Sequence, residues 1–186
     1  MPRLPEKPDS DFDAQTRAAF DQMAAYGAFE NWSRVAAHNP PVLEQVGAML
    51  TALRDGTTLP ARLSELAMVT VSKINACDYC TTNHGPKLQV TGLSAEGIER
   101  LPDVENHPEL TALERHVVLY AEAVTTRHGK MRDAEVEALR AHLSDAQMVE
   151  LTWRIALTGA FNRFNDALQI APEQRRAAPQ PLHLPP

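Results

Sequence analysis

The chain reads as an all-α protein, a helical bundle built as one domain. Three observations predict this. Apolar residues recur at the helical period along most of the chain. No segment alternates as a half-buried strand does, and nothing repeats at solenoid spacing. Two capping boxes, Thr111-x-x-Glu114 and Ser144-x-x-Gln147, mark helix starts, because each side chain satisfies the other residue's otherwise unpaired N–H.

The elements follow in order. Residues 1–10 form a proline-rich arm, stiffened by Pro2, Pro5 and Pro8. It is read as disordered or as lying across a neighbouring subunit. Apolar periodicity places helices near Asp11–Tyr26, Pro41–Arg54 and Pro60–Ile74, the last carrying Leu63, Leu66, Ala67 and Val69. Lys73 to Ala76 hold a turn, and a helix Asp78–Val90 follows. Pro86 is awkward there, since it removes one helical N–H and crowds the Thr82 carbonyl, so a kink is predicted. Gly92 suits a left-handed C′ position and Ser94 the next N-cap, opening Ala95–Arg100. The capping boxes open Ala112–Thr126 and Asp145–Gln169, with Ala134–His142 between them. In the last helix Asn162, Arg163, Asn165 and Asp166 interrupt an apolar run, reading either as a hydrophilic stripe or as polar groups facing an interior or a subunit contact. A tail, residues 171–186, contains Pro172, Pro179, Pro181, Pro185 and Pro186 and cannot continue that helix. The folded domain is thereby bounded at 11–170.

At 186 residues the chain suits one compact core, and its formal charge of −6 offers no footprint for nucleic acid or an anionic membrane. No apolar run reaches the ~18 residues of a membrane span, and the charged, proline-rich start is unlike a signal peptide. A cytoplasmic protein is expected. Trp32, Trp153 and the methionines read as core or interface.

The chemistry is concentrated in one stretch. The only two cysteines are Cys77 and Cys80, with His84 four residues after the second and Glu65 twelve before the first. At about 100° per residue, Cys77, Cys80 and His84 fall within roughly 60° of one another on a helix. Cysteines at i and i+3 are close enough for a disulfide, and Cys80 and His84 form an i, i+4 pair. Folding the two helices antiparallel about Lys73–Ala76 mirrors Glu65 onto roughly position 86, nearer the imidazole than the sulfurs. In that order Glu65 orients and charge-balances His84, His84 takes the thiol proton, Cys80 attacks as the thiolate, and Cys77 resolves the oxidised sulfur. Asp78 penalises a thiolate at Cys77 most, which also favours Cys80.

The run Glu65-x11-Cys77-x-x-Cys80-x3-His84 resembles the alkylhydroperoxidase D-like branch of the carboxymuconolactone decarboxylase superfamily. Leu59-Pro60-Ala61-Arg62-Leu63-Ser64-Glu65-Leu66-Ala67, Thr91-Gly92-Leu93-Ser94 and Asn162-Arg163-Phe164-Asn165-Asp166-Ala167-Leu168 extend the resemblance from about Asn31 to Ile170. It implies an all-helical oligomeric bundle, with Cys80 peroxidatic, Cys77 resolving, and Glu65 and His84 as proton relay. A hydroperoxide substrate, a dithiol reductant of lipoyl or small-thiol type, and a homotrimer or homohexamer go with it; no cofactor does. Two positions depart from the family's best-known pattern. Tyr79 stands where a histidine is usual between the cysteines, and Gly85-Pro86 follows His84 where an unbroken helix is more usual.

Two other functions stay open. The superfamily contains lactone decarboxylases that need no thiol pair, and a helical oligomer could use its cysteines to sense oxidants or bind zinc. Zinc would take Cys77, Cys80 and His84 and need a fourth ligand. There is no second cysteine pair, and His38, His107, His116, His128, His142 and His183 are scattered and read mostly as surface or helix-end residues, so no metal is assigned.

Overall fold

The computed structural model describes residues 2–27, 29–126 and 133–173. Among them are nine α-helices and no strand: α1 (Ala14–Tyr26), α2 (Glu30–Ala36), α3 (Pro40–Asp55), α4 (Ala61–Ile74), α5 (Asp78–Val90), α6 (Ala95–Arg100), α7 (Ala112–Thr126), α8 (Asp133–Arg140) and α9 (Asp145–Leu168). A 3₁₀ turn, Asp9–Asp11, precedes α1. His128, His183 and most of the proline-rich tail lie outside the described residues. Where the sequence suggests one body from 11 to 170, contacts group the described residues into two compact units. One comprises those up to Thr57 together with those from Asn165 onward, the other Thr58 to Phe164.

In the first unit α1 packs on α3. The side chain of Asp13 caps α1 by accepting from the Thr16 N–H at 2.8 Å. A Cβ at Gly47 would stand 3.3 Å from the Met23 side chain, so glycine lets α1 and α3 approach. The arm does not reach away from its own chain. Lys7 N–H donates to the Arg34 carbonyl (3.1 Å), Arg3 N–H to Leu168 (2.9 Å) and the His38 ring to the Pro5 carbonyl (2.8 Å), while Asp9 pairs with Arg17 and Arg34. These bonds hold it along α1, α2 and the end of α9, against the disordered reading of the arm. Helix α2 was not foreseen.

The second unit is organised around α4, which contacts both α5 and α7. From Leu63 to Ser72 every residue of α4 except Glu65 is buried, as befits a helix surrounded by others. Leu66, Val69 and Val71 pack with Leu88, Val117 and Leu151. Both capping boxes form: Thr111 N–H donates to Glu114 (2.8 Å) and Ser144 N–H to Gln147 (3.0 Å), each answered by the reverse bond. Gly92 has φ +100°, and the Ser94 hydroxyl caps α6 through the Gly97 N–H. Arg62 secures this corner, pairing with Glu114 and donating to the Thr91 carbonyl. Helix α5 continues through Pro86 to Val90, so the proline is accommodated within it. His107 is a core histidine, 1% exposed with its ring donating to the Gly97 carbonyl, against the surface reading.

Candidate active site

Helix α4 ends in a Schellman motif. The Cys77 N–H donates to the Ser72 carbonyl (2.9 Å) and the Ala76 N–H to Lys73 (3.1 Å), with Ala76 left-handed at φ +50°. That reversal places Cys77 at the N-cap of α5 with extended backbone, and Cys80 at the third residue of the helix. Both sulfurs thus belong to the first turn of α5, where unpaired N–H groups and the helix dipole favour a thiolate. The cysteines carry no disulfide and are buried.

The same reversal lays α5 back along α4 and brings Glu65 to His84, whose Nδ1 is 2.7 Å from Glu65 Oε2. The helical mirror pointed to position 86, and the partner is one half-turn away. Glu65 takes the Nδ1 hydrogen, which leaves Nε2 as the imidazole's proton-accepting edge. Side-chain exposures of 12% for Glu65 and 17% for His84 make the imidazole the wetter end of the relay. Burial works to raise the Glu65 carboxyl, but the His84 imidazole, then Lys87 and Arg154, outweigh it and hold the group below its ordinary value. A charged carboxylate one bond from an imidazole, one helical turn from a thiol, is an arrangement that can store and move a proton.

The sulfurs therefore sit at the α4–α5 reversal, and the imidazole and carboxylate meet between the two helices that it joins. Sequence reasoning missed the support behind them. Asn75, in the reversal, donates to Asn162 Oδ1 (2.9 Å), and Asn162 donates to the Ser72 hydroxyl (3.4 Å). Of the polar cluster in α9, Asn162 and Asn165 are buried while Arg163 and Asp166 are exposed, so both readings hold in part. Glu150 and Arg154, paired at 2.8 Å and both nearly buried, were also missed. Their signal was an acid and a base four apart in an otherwise apolar helix. Among the described residues no group of three or more His, Cys, Asp or Glu side chains is placed to hold a metal ion.

The carboxymuconolactone decarboxylase family model matches residues 40–123, a span containing all four site residues. The fold is shared with an uncharacterised peroxidase-related protein of alkylhydroperoxidase D core from Ralstonia eutropha, at TM-score 0.78 and 21% identity over 92% of both chains. A protein of unknown function from Agrobacterium tumefaciens, assigned as a candidate antioxidant defence protein of alkylhydroperoxidase D type, is 26% identical over 75% of this chain and 96% of its own, at TM-score 0.67. A debrominase also shares it, at TM-score 0.72 and 19% identity over 89% of both chains; a cysteine-to-alanine variant of that enzyme has been crystallised with 2,3,4-tribromopyrrole. Comparison with curated proteins finds no match. The family match across the site-bearing helices, joined to the shared fold, supports a place in the alkylhydroperoxidase D-like branch of the carboxymuconolactone decarboxylase superfamily.

Proposed function

We propose that the protein is a thiol-dependent peroxidase or disulfide reductase. The observation carrying this reading is a pair of cysteines in the first turn of α5, followed one turn later by an imidazole bonded at 2.7 Å to a largely buried carboxylate. His84 accepts the Cys80 proton. The thiolate attacks one oxygen of a hydroperoxide, the O–O bond breaks, and Cys80 becomes a sulfenic acid while the alkoxide leaves and is protonated to the alcohol. The Cys77 thiol then attacks the sulfenic sulfur, giving the Cys77–Cys80 disulfide and water. An external dithiol, lipoyl or small, supplies two electrons and two protons to restore the pair. The working form is proposed to be a homotrimer or homohexamer.

The test is peroxide turnover with several dithiol donors on wild type and Cys80→Ser, with sulfenic-acid trapping in each single cysteine variant. Trapping at Cys80 in Cys77→Ser, and loss of turnover in Cys80→Ser, is expected. Trapping only at Cys77, in Cys80→Ser, would reverse the two roles. A carboxymuconolactone and a brominated pyrrole belong in the same panel, because the family is named for a decarboxylase and the fold also carries a debrominase. Lactone turnover undiminished in Cys80→Ser would replace the redox reading with decarboxylation.

A further inference from the structure

Hydrogen bonds at two levels set the register of α9 against α4. Near the start of α4, Glu150 Oε2 accepts from the N–H groups of Thr58 (2.9 Å) and Leu59 (3.2 Å). Near its end, Asn162 meets Ser72 and Asn75. The partners are 92 residues apart at the first level and 90 at the second, Thr58 with Glu150 and Ser72 with Asn162, so the two helices run parallel. Carried to Glu65, that register reaches residues 155–157 of α9, one to three residues past Arg154 and roughly 3 Å along the axis. Around the axis, Arg154 lies about 40° from Glu150 and about 80° from Asn162, between the two residues that touch the α4 segment.

Arg154 therefore lies on the face of α9 that carries Glu150 and Asn162, about level with the middle of α4, where Glu65 is the residue not fully buried. Its guanidinium is held on the near side by Glu150 Oε1 at 2.8 Å, and with side-chain exposures of 13% and 10% the pair is largely withdrawn from water. Glu150 is itself fixed by the two amides before α4. A guanidinium so anchored has little freedom to leave, and a positive charge screened by little water acts at longer range than one on the surface.

We infer that Arg154, clamped by Glu150, is a positioning residue of the proposed redox site: it keeps the Glu65 carboxylate charged and turned toward His84. Two helices supply the cations around that carboxylate, His84 and Lys87 from α5 and Arg154 from α9, while Glu114 of α7 is taken up by Arg62. The direction of the Glu65 shift, in which Arg154 takes part, agrees. Arg154 never meets the sulfur or the peroxide. It acts through Glu65 and, through it, on the tautomer and basicity of His84.

The experiment follows the side-chain carboxyl carbon of Glu65 by nuclear magnetic resonance as pH is lowered, in the full chain. Wild type should titrate below the ordinary 4.5. Arg154→Met should raise the midpoint by roughly one pH unit, the size of a neighbouring-charge effect. Arg154→Lys should stay near wild type because the charge remains. An unchanged midpoint in folded Arg154→Met overturns the inference. If that variant does not fold, Arg154→Gln decides, and an unmoved midpoint there overturns it equally. The titration needs neither peroxide nor reductant. Failure of the peroxidase assay with a shifted midpoint removes only the redox reading, whereas turnover with an unmoved midpoint removes only the role of Arg154.

Discussion

Glu65 has little water to rely on, since its neighbours along α4 are buried and its own side chain is 12% exposed. A carboxylate in such a place is stabilised by partners or becomes protonated. His84 supplies the nearest partner, and the sign of the result has two consequences. Because the folded carboxyl sits below 4.5, its ionisation contributes stability that is fully present above the unfolded value and disappears as pH falls through the folded one. The stability difference between wild type and Glu65→Gln should therefore be constant near neutrality and narrow in acid, as chemical denaturation at pH 7 and below pH 4 would measure. If the carboxylate acts through the imidazole, Glu65→Gln should also slow Cys80 alkylation at neutral pH and recover toward the unassisted thiol pKa near ~8.5. A variant with the wild-type pH–rate profile would make Glu65 purely structural. The pairing of Glu65 with His84 was legible in sequence because both lie on adjacent helices joined by a short turn, so helical period and one reflection suffice. Arg154 was not, because no local rule relates residues 89 positions apart.

At the scale of elements, what positions the chemistry is the end of α4. Its Schellman reversal needs a left-handed residue and uses Ala76, whose φ of +50° carries a Cβ penalty that glycine would not. Relief of that penalty exceeds the extra unfolded-state entropy of glycine at such sites. Ala76→Gly should raise stability by about 0.5–1 kcal/mol in urea unfolding without moving Cys77, since the Cys77–Ser72 and Ala76–Lys73 bonds are backbone bonds. A loss of stability would show that the Ala76 methyl contributes more by packing than its backbone conformation costs. Helix ends with a chemical marker, such as the capping boxes and Gly92, were readable. Helix α2 was not, because its seven residues, Glu30–Ala36, are too few for a period to declare itself. Pro86 forfeits one bond to the Thr82 carbonyl, yet α5, packed on α4, keeps the span Asp78–Val90 that the sequence predicts.

For the molecule as a whole, period alone was enough to predict an all-α chain, whereas the grouping of residues from Asn165 onward with those up to Thr57 depends on contacts between distant segments that no local pattern announces. No described helix is long and apolar enough to cross a membrane. Val149 and Trp153 stand four residues apart on α9, 71% and 48% exposed, and Leu119 of α7 is 42% exposed. A tryptophan that open to water in an i, i+4 pair with valine is the kind of anchor that self-association buries. We propose that a second copy of the chain covers this face, in keeping with the trimer or hexamer proposed for the working form. Sedimentation of wild type at micromolar concentration should then show a species larger than one chain. Trp153→Glu should shift it toward the monomer while leaving the helical circular dichroism intact, because the side chain stands outside the buried core. A wild-type monomer under those conditions would dismiss the assembly, and an unshifted Trp153→Glu oligomer would move the contact to another face.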